Sequence, residues 1–252
     1  MKNGTQYTQI DREGNRTMIR MYSLATGEVM GTLFDSETDK FGGSALNIES
    51  YVFSEDEKQM LLITEGEHIY RHSELQRVYV YDIESGRISL LDYDKVLHAT
   101  FSPDGSKVAF VKNNNLYYKD LASGKTVQIT GDGAPNRIIN GLPDWVYEEE
   151  FSPVSGEGMV ATKWSPDGSK IAFIRFDESR VPEFPLTWYE GGMYPRESSF
   201  KYPKVGEPNS VVSVHLYDVD AGQMIGKVMS LEADDYIPRL HWTTDNQLVV
   251  SR

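Results

Sequence analysis

Not one of the 252 residues is a cysteine, which excludes a disulfide framework, a thiolate metal site and a cysteine nucleophile. The redox compartment stays open, because many proteins of every compartment do without cystine. No stretch approaches the roughly 18 apolar residues of a membrane-spanning helix, and Met1-Lys2-Asn3-Gly4 leads into polar residues with no apolar core of a targeting segment. Positive charge is also in deficit, 25 Lys and Arg against 38 Asp and Glu, for a net charge of −13. Phosphate backbones and anionic lipid surfaces attract basic footprints, so this balance argues against nucleic acid and against membrane contact. A G-x-S-x-G elbow is missing as well, so no serine nucleophile of the hydrolase type, and no catalytic residue, is expected within the chain. The five histidines, at 68, 72, 98, 215 and 241, lack metal-type spacing. They are expected to be structural, with neither a metal nor a cofactor bound.

Tyrosine, by contrast, is abundant at 15 copies, and aromatic side chains suit pleated, half-buried surfaces. One phrase occurs twice almost unchanged, FSPDGSKVAFV from Phe101 and WSPDGSKIAFI from Trp164, with looser copies at Phe53 and Trp242. Each reads as a strand end with an aromatic residue, a tight turn and a short apolar strand, Pro setting φ and Gly supplying positive φ. A second phrase, a hairpin with a polar glycine turn, starts at Met21, Val80, Tyr118 and Leu216. Interleaved, the two phrases give units of several strands, each too small to bury both faces alone, and such units must stack on their neighbours. The reading is all-β, a partial β-propeller of about four to five blades. Gly-His and Trp-Asp signatures of WD40 arrays are absent. The first hairpin phrase lacks a preceding turn phrase and the last turn phrase stops at Arg252, so residues 1–252 are expected to form an incomplete propeller domain.

Two insertions break the repeat, between Thr130 and Thr162 and between Arg175 and Val211, and long insertions on a regular scaffold often carry function. The first holds Asp144-Trp145-Val146-Tyr147-Glu148-Glu149-Glu150-Phe151. Three adjacent carboxylates beside bulky aromatics are partly desolvated and favour a cationic partner. A peptide's α-ammonium offers three donors for charge-assisted bonds. On a helical turn Glu149 and Glu150 point about 100° apart and both lean over one small cation, whereas on a strand they oppose each other. Composition alone is equally met by a solvated acidic loop or a docking loop of a non-catalytic recognition propeller. A hard metal cation needs ligands from spaced positions, and a glycosidase pair needs carboxylates facing each other about 5 to 9.5 Å apart. Contiguous glutamates supply neither.

The string DWVYEEEF, followed by a Trp-Ser-Pro phrase, resembles the signature of the dipeptidyl peptidase IV family in the prolyl oligopeptidase clan. Tyr70-Arg71-His72-Ser73, Phe176-Asp177-Glu178-Ser179-Arg180-Val181-Pro182 and Tyr202-Pro203-Lys204 add to the likeness, which runs from about Phe41 to the C-terminus. The resemblance implies an eight-bladed propeller capping an α/β-hydrolase domain that is not in this chain. It implies serine exopeptidase activity releasing X-Pro or X-Ala dipeptides from peptides with a free N-terminus, outside the cytoplasm in the periplasm, envelope or medium. By the same likeness Glu149 and Glu150 clamp the substrate amine, with Glu148 flanking them. The 176–210 insertion, with Trp188, Tyr189, Tyr194 and Tyr202, resembles the arm through which family members form homodimers. An arginine from a neighbouring blade is also implied, to bind the substrate carbonyl; none stands just before Phe101-Ser102-Pro103, and Arg87 is the nearest candidate.

Overall fold

Every copy of the turn phrase closes a hairpin, and every copy of the glycine phrase closes the one between the last two strands of its sheet. A computed structural model describes residues 1–151, 159–189, 191–231 and 235–252. The second sheet shows the full unit in the order Ser50–Phe53, Gln59–His68, Glu74–Asp82, Arg87–Leu90, all antiparallel. The third repeats it with Leu97–Phe101, Lys107–Lys112, Asn115–Asp120 and Thr126–Gln128. The first sheet has three strands, Gln6–Glu13, Arg16–Ser23 and Val29–Asp35. At the C-terminal end Arg239–Trp242 pairs with Leu248–Ser251. The all-β architecture of small blade-like sheets therefore follows the repeat phrases.

What makes the turns is only partly the Pro and Gly of the phrase. In Phe101-Ser102-Pro103-Asp104-Gly105 the Ser102 hydroxyl donates to Asp104 (2.6 Å) and accepts the Lys107 amide (2.9 Å). Ser165 does the same with Asp167 (2.6 Å) and Lys170 (2.9 Å). The loose copy at Ser54 lacks both Pro and Gly, yet Ser54 still bonds Asp56 and the Gln59 amide, and Glu57 takes the left-handed conformation at φ 58°. Thr243, Asp245 and Asn246 repeat the arrangement at the last hairpin. The constant element is a hydroxyl and a carboxylate two residues apart, side chains that mimic a backbone turn.

Strand periodicity explains why the sheets stack. Along Gln59–His68, Met60 and Leu62 point into an apolar cluster shared with Ile19 and Phe34 of the first sheet. Leu61 and Ile63, on the opposite face, pack against Val108 and Phe110 of the third. Alternate residues thus belong to different cores, and the strand reads as a continuous apolar run because both of its faces are covered.

The fourth sheet positions the site. Its strands Lys170–Asp177, Val211–Asp218 and Gln223–Ser230 are regular, but the first strand is split in two. Ile138–Asn140 pairs with residues 175–177 and Thr162–Trp164 with residues 171–173. Between them the chain leaves and returns at one residue, since the Ile174 carbonyl accepts the Gly141 amide (2.9 Å) and the Ile174 amide donates to the Ala161 carbonyl (2.8 Å). Gly141 has φ 77°, and a Cβ there would lie 2.4 Å from Thr162 Oγ1, so glycine alone fits this exit. The excursion carries the one α-helix among the described residues, Trp145–Phe151. Its segment 152–158 lies outside the described residues, as do Glu190 and 232–234.

Ser165→Ala removes the buried Ser165 hydroxyl that the half-buried Lys170 amide donates to and is expected to cost about 1–2 kcal/mol in urea unfolding. Pro166→Ala leaves those bonds in place and should cost under about 1 kcal/mol.

Candidate functional site

The acidic segment forms a helix because Asp144 caps it. Its Oδ1 accepts the Tyr147 amide (2.9 Å) and its backbone carbonyl accepts Glu148 N–H (3.0 Å), as an N-cap aspartate does. Ser210, just before the strand Val211–Asp218, donates its hydroxyl to the other Asp144 oxygen. Tyr147 is buried, meets Phe176 edge to face at 4.8 Å and accepts the Ile237 amide at its hydroxyl (2.9 Å). At the other end Arg239 donates to the Phe151 carbonyl (2.6 Å), a cation on the negative end of the helix. The helix is thus held from the fourth sheet, the strand after it and the last hairpin.

The three glutamates then divide. Glu148 is 1% exposed and turned inward. It accepts the His72 amide (2.7 Å), the Ser73 amide (3.0 Å) and the Ser73 hydroxyl, all from the loop between the second and third strands of the second sheet. The Glu149 side chain, 12% exposed, pairs with Arg71 of the same loop (Oε2 to Nη2, 3.2 Å). Glu150 is exposed. The helical turn anticipated for the motif is present, and it directs the two outer glutamates to two cavities with Trp145 on the wall of both. Glu149 lines a cavity of about 670 Å³ with Tyr70, Arg71, Trp188 and Phe200. Glu150 lines one of about 370 Å³ with Tyr202, Lys204, Asn209 and Tyr236.

Both cavities are walled by the second insertion, which forms the hairpin Glu183–Trp188 with Arg196–Lys201. Its base packs on the helix through Tyr202 and Trp145, ring centroids 4.0 Å apart, and Phe200 meets Tyr70 at 5.6 Å. Toward its tip Tyr189, Met193 and Tyr194 are exposed. The insertion therefore shapes the site as well as projecting from it. Arg87, the arginine nearest in sequence to the expected place, opens the outer strand Arg87–Leu90 opposite Asp82 and lines neither cavity. Arg71 occupies the site instead. It stands inside the string Tyr70-Arg71-His72-Ser73, in the loop between the second and third strands of the second sheet. Of the histidines, half-buried His98 has its pKa lowered by desolvation and lies 3.4 Å from the Ser73 hydroxyl, while His215 stacks on Phe173. No cluster of ligating side chains that could hold a metal ion exists among the described residues.

Beneath the helix lies a buried acidic group. Glu178 is 3% exposed and its Oε2 has no hydrogen-bond partner. Burial and the nearby Asp144 push its pKa up to about 7, with Asp177 and Glu183 adding to the rise and Lys201 opposing it. Burial raises the Asp144 carboxyl too, against the bonds from Ser210 and Tyr147. The phenol of Tyr70 is raised by burial first and then by Glu178, Asp144 and Glu148.

Comparison with known proteins adds an independent finding. The family described as the dipeptidyl peptidase IV N-terminal region matches residues 54–252. A probable dipeptidyl-aminopeptidase B of Emericella nidulans is 35% identical over 89% of this chain and 26% of its own length. The human prolyl endopeptidase FAP is 31% identical over 97% of this chain and 32% of its own length. Among solved structures, dipeptidyl peptidase 4 of Porphyromonas gingivalis superposes with a TM-score of 0.87 at 40% identity, over 99% of this chain and 35% of that one. A putative dipeptidyl aminopeptidase IV of Bacteroides ovatus shares the fold, with a TM-score of 0.59 at 21% identity. The chain spans about a quarter to a third of the length of these relatives.

Glu178 keeps its proton in the folded chain at pH values where the unfolded chain, at its ordinary 4.5, has released it. Stability should therefore fall as pH rises from about 4.5 to about 7 and level off above. Glu178→Gln is expected to melt with the wild type near pH 4.5 and to be more stable by about 1–3 kcal/mol at pH 8. Urea unfolding at the two pH values measures the difference.

Proposed function

Because the chain belongs to the dipeptidyl peptidase IV family, we propose that it is the substrate-measuring part of a serine exopeptidase, an incomplete blade array that grips the free amino terminus of a peptide. The observation that carries this reading is the meeting of Glu149 and Arg71 at 3.2 Å on the wall of an aromatic-lined cavity, each from a different blade. A carboxylate and a guanidinium side by side match the two ends of a peptide's first residue, an ammonium and a carbonyl oxygen. Glu149 takes the ammonium in the larger cavity, near the negative end of its helix, and Glu150, which lines the smaller cavity across Trp145, turns toward it to add the second carboxylate. Arg71 donates to the carbonyl, the role that the family resemblance asks of an arginine from a neighbouring blade.

Such a grip explains dipeptide release. An amine anchored at a fixed distance from a nucleophile admits two residues before the scissile bond, and the anchoring supplies positioning worth several kcal/mol of barrier. The nucleophile belongs to a hydrolase domain outside these 252 residues. Specificity for X-Pro or X-Ala, and a place in the periplasm, envelope or medium, rest on the family. No helix among the described residues is long and apolar enough to cross a membrane. The exposed Tyr189, Met193 and Tyr194 on the second insertion support a homodimer formed through residues 176–210.

In the protein that joins this chain to its hydrolase domain, Glu149→Gln and Glu150→Gln should each lower kcat/KM on a dipeptide-chromophore substrate by roughly a hundredfold or more. Unchanged kinetics in both would reject the amine grip. Since the ligand is an ammonium, kcat/KM should also fall above about pH 8, where an α-amino group loses its proton, and an N-acetylated substrate should not be cleaved.

A further inference from the structure

Arg71 presents a positional problem that its own contacts do not solve. Its side chain is 71% exposed, so packing does not hold it, and its ion pair is to Glu149, the group that a bound ammonium would engage. A substrate arriving at Glu149 competes for the interaction that keeps the guanidinium in place. Something else has to fix Arg71, and the backbone around it shows what does. The loop turns back on itself through the Ile69 amide bound to the Ser73 carbonyl (2.8 Å), and the two amides that follow Arg71 both point into a single oxygen of Glu148. The Ser73 hydroxyl takes the other oxygen.

We propose that Glu148 is a positioning residue of the amine-binding site: it holds the Arg71 loop against the helix through the backbone, so that the guanidinium keeps its place when Glu149 turns to the substrate. The inference rests on the function proposed above. Three observations carry it. Glu148 is 1% exposed, and a buried carboxylate is tolerable only when its acceptor sites are filled. The donors it takes include two amides 75 and 76 residues away, from another sheet. And it precedes Glu149, so one helical turn grips one loop twice, by its peptide groups through Glu148 and by its side chain through Glu149. The two grips differ in kind, since the first is buried and takes no part in binding, while the second is open to the cavity.

Coupling between Glu148 and Arg71 separates positioning from general support of the fold. In the full-length enzyme, Glu148→Gln, which keeps the volume and one acceptor, should lower kcat/KM on the order of tenfold, and Glu148→Ala on the order of a hundredfold, the scale of a misplaced binding group. In an Arg71→Ala background the same substitutions should change kcat/KM by less than about twofold, because the group they position is gone. Melting temperatures identify any variant that has lost its fold; if the alanine variant has, the glutamine variant decides. Losses of equal size in both backgrounds, or none in the first, overturn the inference. If Arg71→Ala and Glu149→Gln alone leave full activity, the amine-binding reading falls and takes this one with it. If those two are impaired while Glu148 acts independently of Arg71, only the positioning role is lost.

Discussion

The second and third sheets of this chain are apolar on both faces, and that constraint decides almost everything else. A strand such as Gln59–His68 places Met60 and Leu62 in one core and Leu61 and Ile63 in another, so no sheet is complete until a neighbour covers each side. Stacking follows, and with it a division of space. The sheet faces are committed to packing, which leaves loops and strand ends for chemistry. The helix Trp145–Phe151 and the loop 69–73 are of this second kind, and they meet because the sheets behind them are held in sequence.

The site shows how carboxylates come to serve unlike ends by small changes of direction. Asp144 caps the helix, Glu148 faces inward and takes three donors, and Glu149 reaches a cavity. Glu178 below has an oxygen without a partner and remains protonated toward neutrality. A protonated Glu178 also spares the buried group a second full negative charge beside Asp144, which is how several acids fit under one short helix.

Much of this was legible in the residues. The repeat phrases revealed the hairpins and hence the stacked units, because a local turn signal followed by an apolar run needs no long-range information. Helical geometry for the acidic string and a role for the second insertion were also readable. Three features were not. The Ser-Asp pair of the turn was overshadowed by Pro and Gly, and it became visible in Ser54-Glu55-Asp56-Glu57, where both are missing. Glu148 reads in the sequence as a flanking acid, since nothing in a triplet tells which member faces inward. Arg71 does not stand out over Arg87 in the sequence, because the pairing that brings its loop to the helix spans more than 75 positions, a distance at which periodicity carries no signal.

The split strand of the fourth sheet separates two kinds of change. Because the chain departs and rejoins at Ile174, pairing on both sides is complete whatever lies between Gly141 and Ala161. The segment is mounted on the sheet as a tool is mounted in a socket. Side chains on its outer face, such as Glu150, can change without moving a register in the scaffold, while Tyr147 and Glu148 tie its inner face to the core. A repeat architecture with one such socket holds an adaptable part on a frame that does not have to adapt.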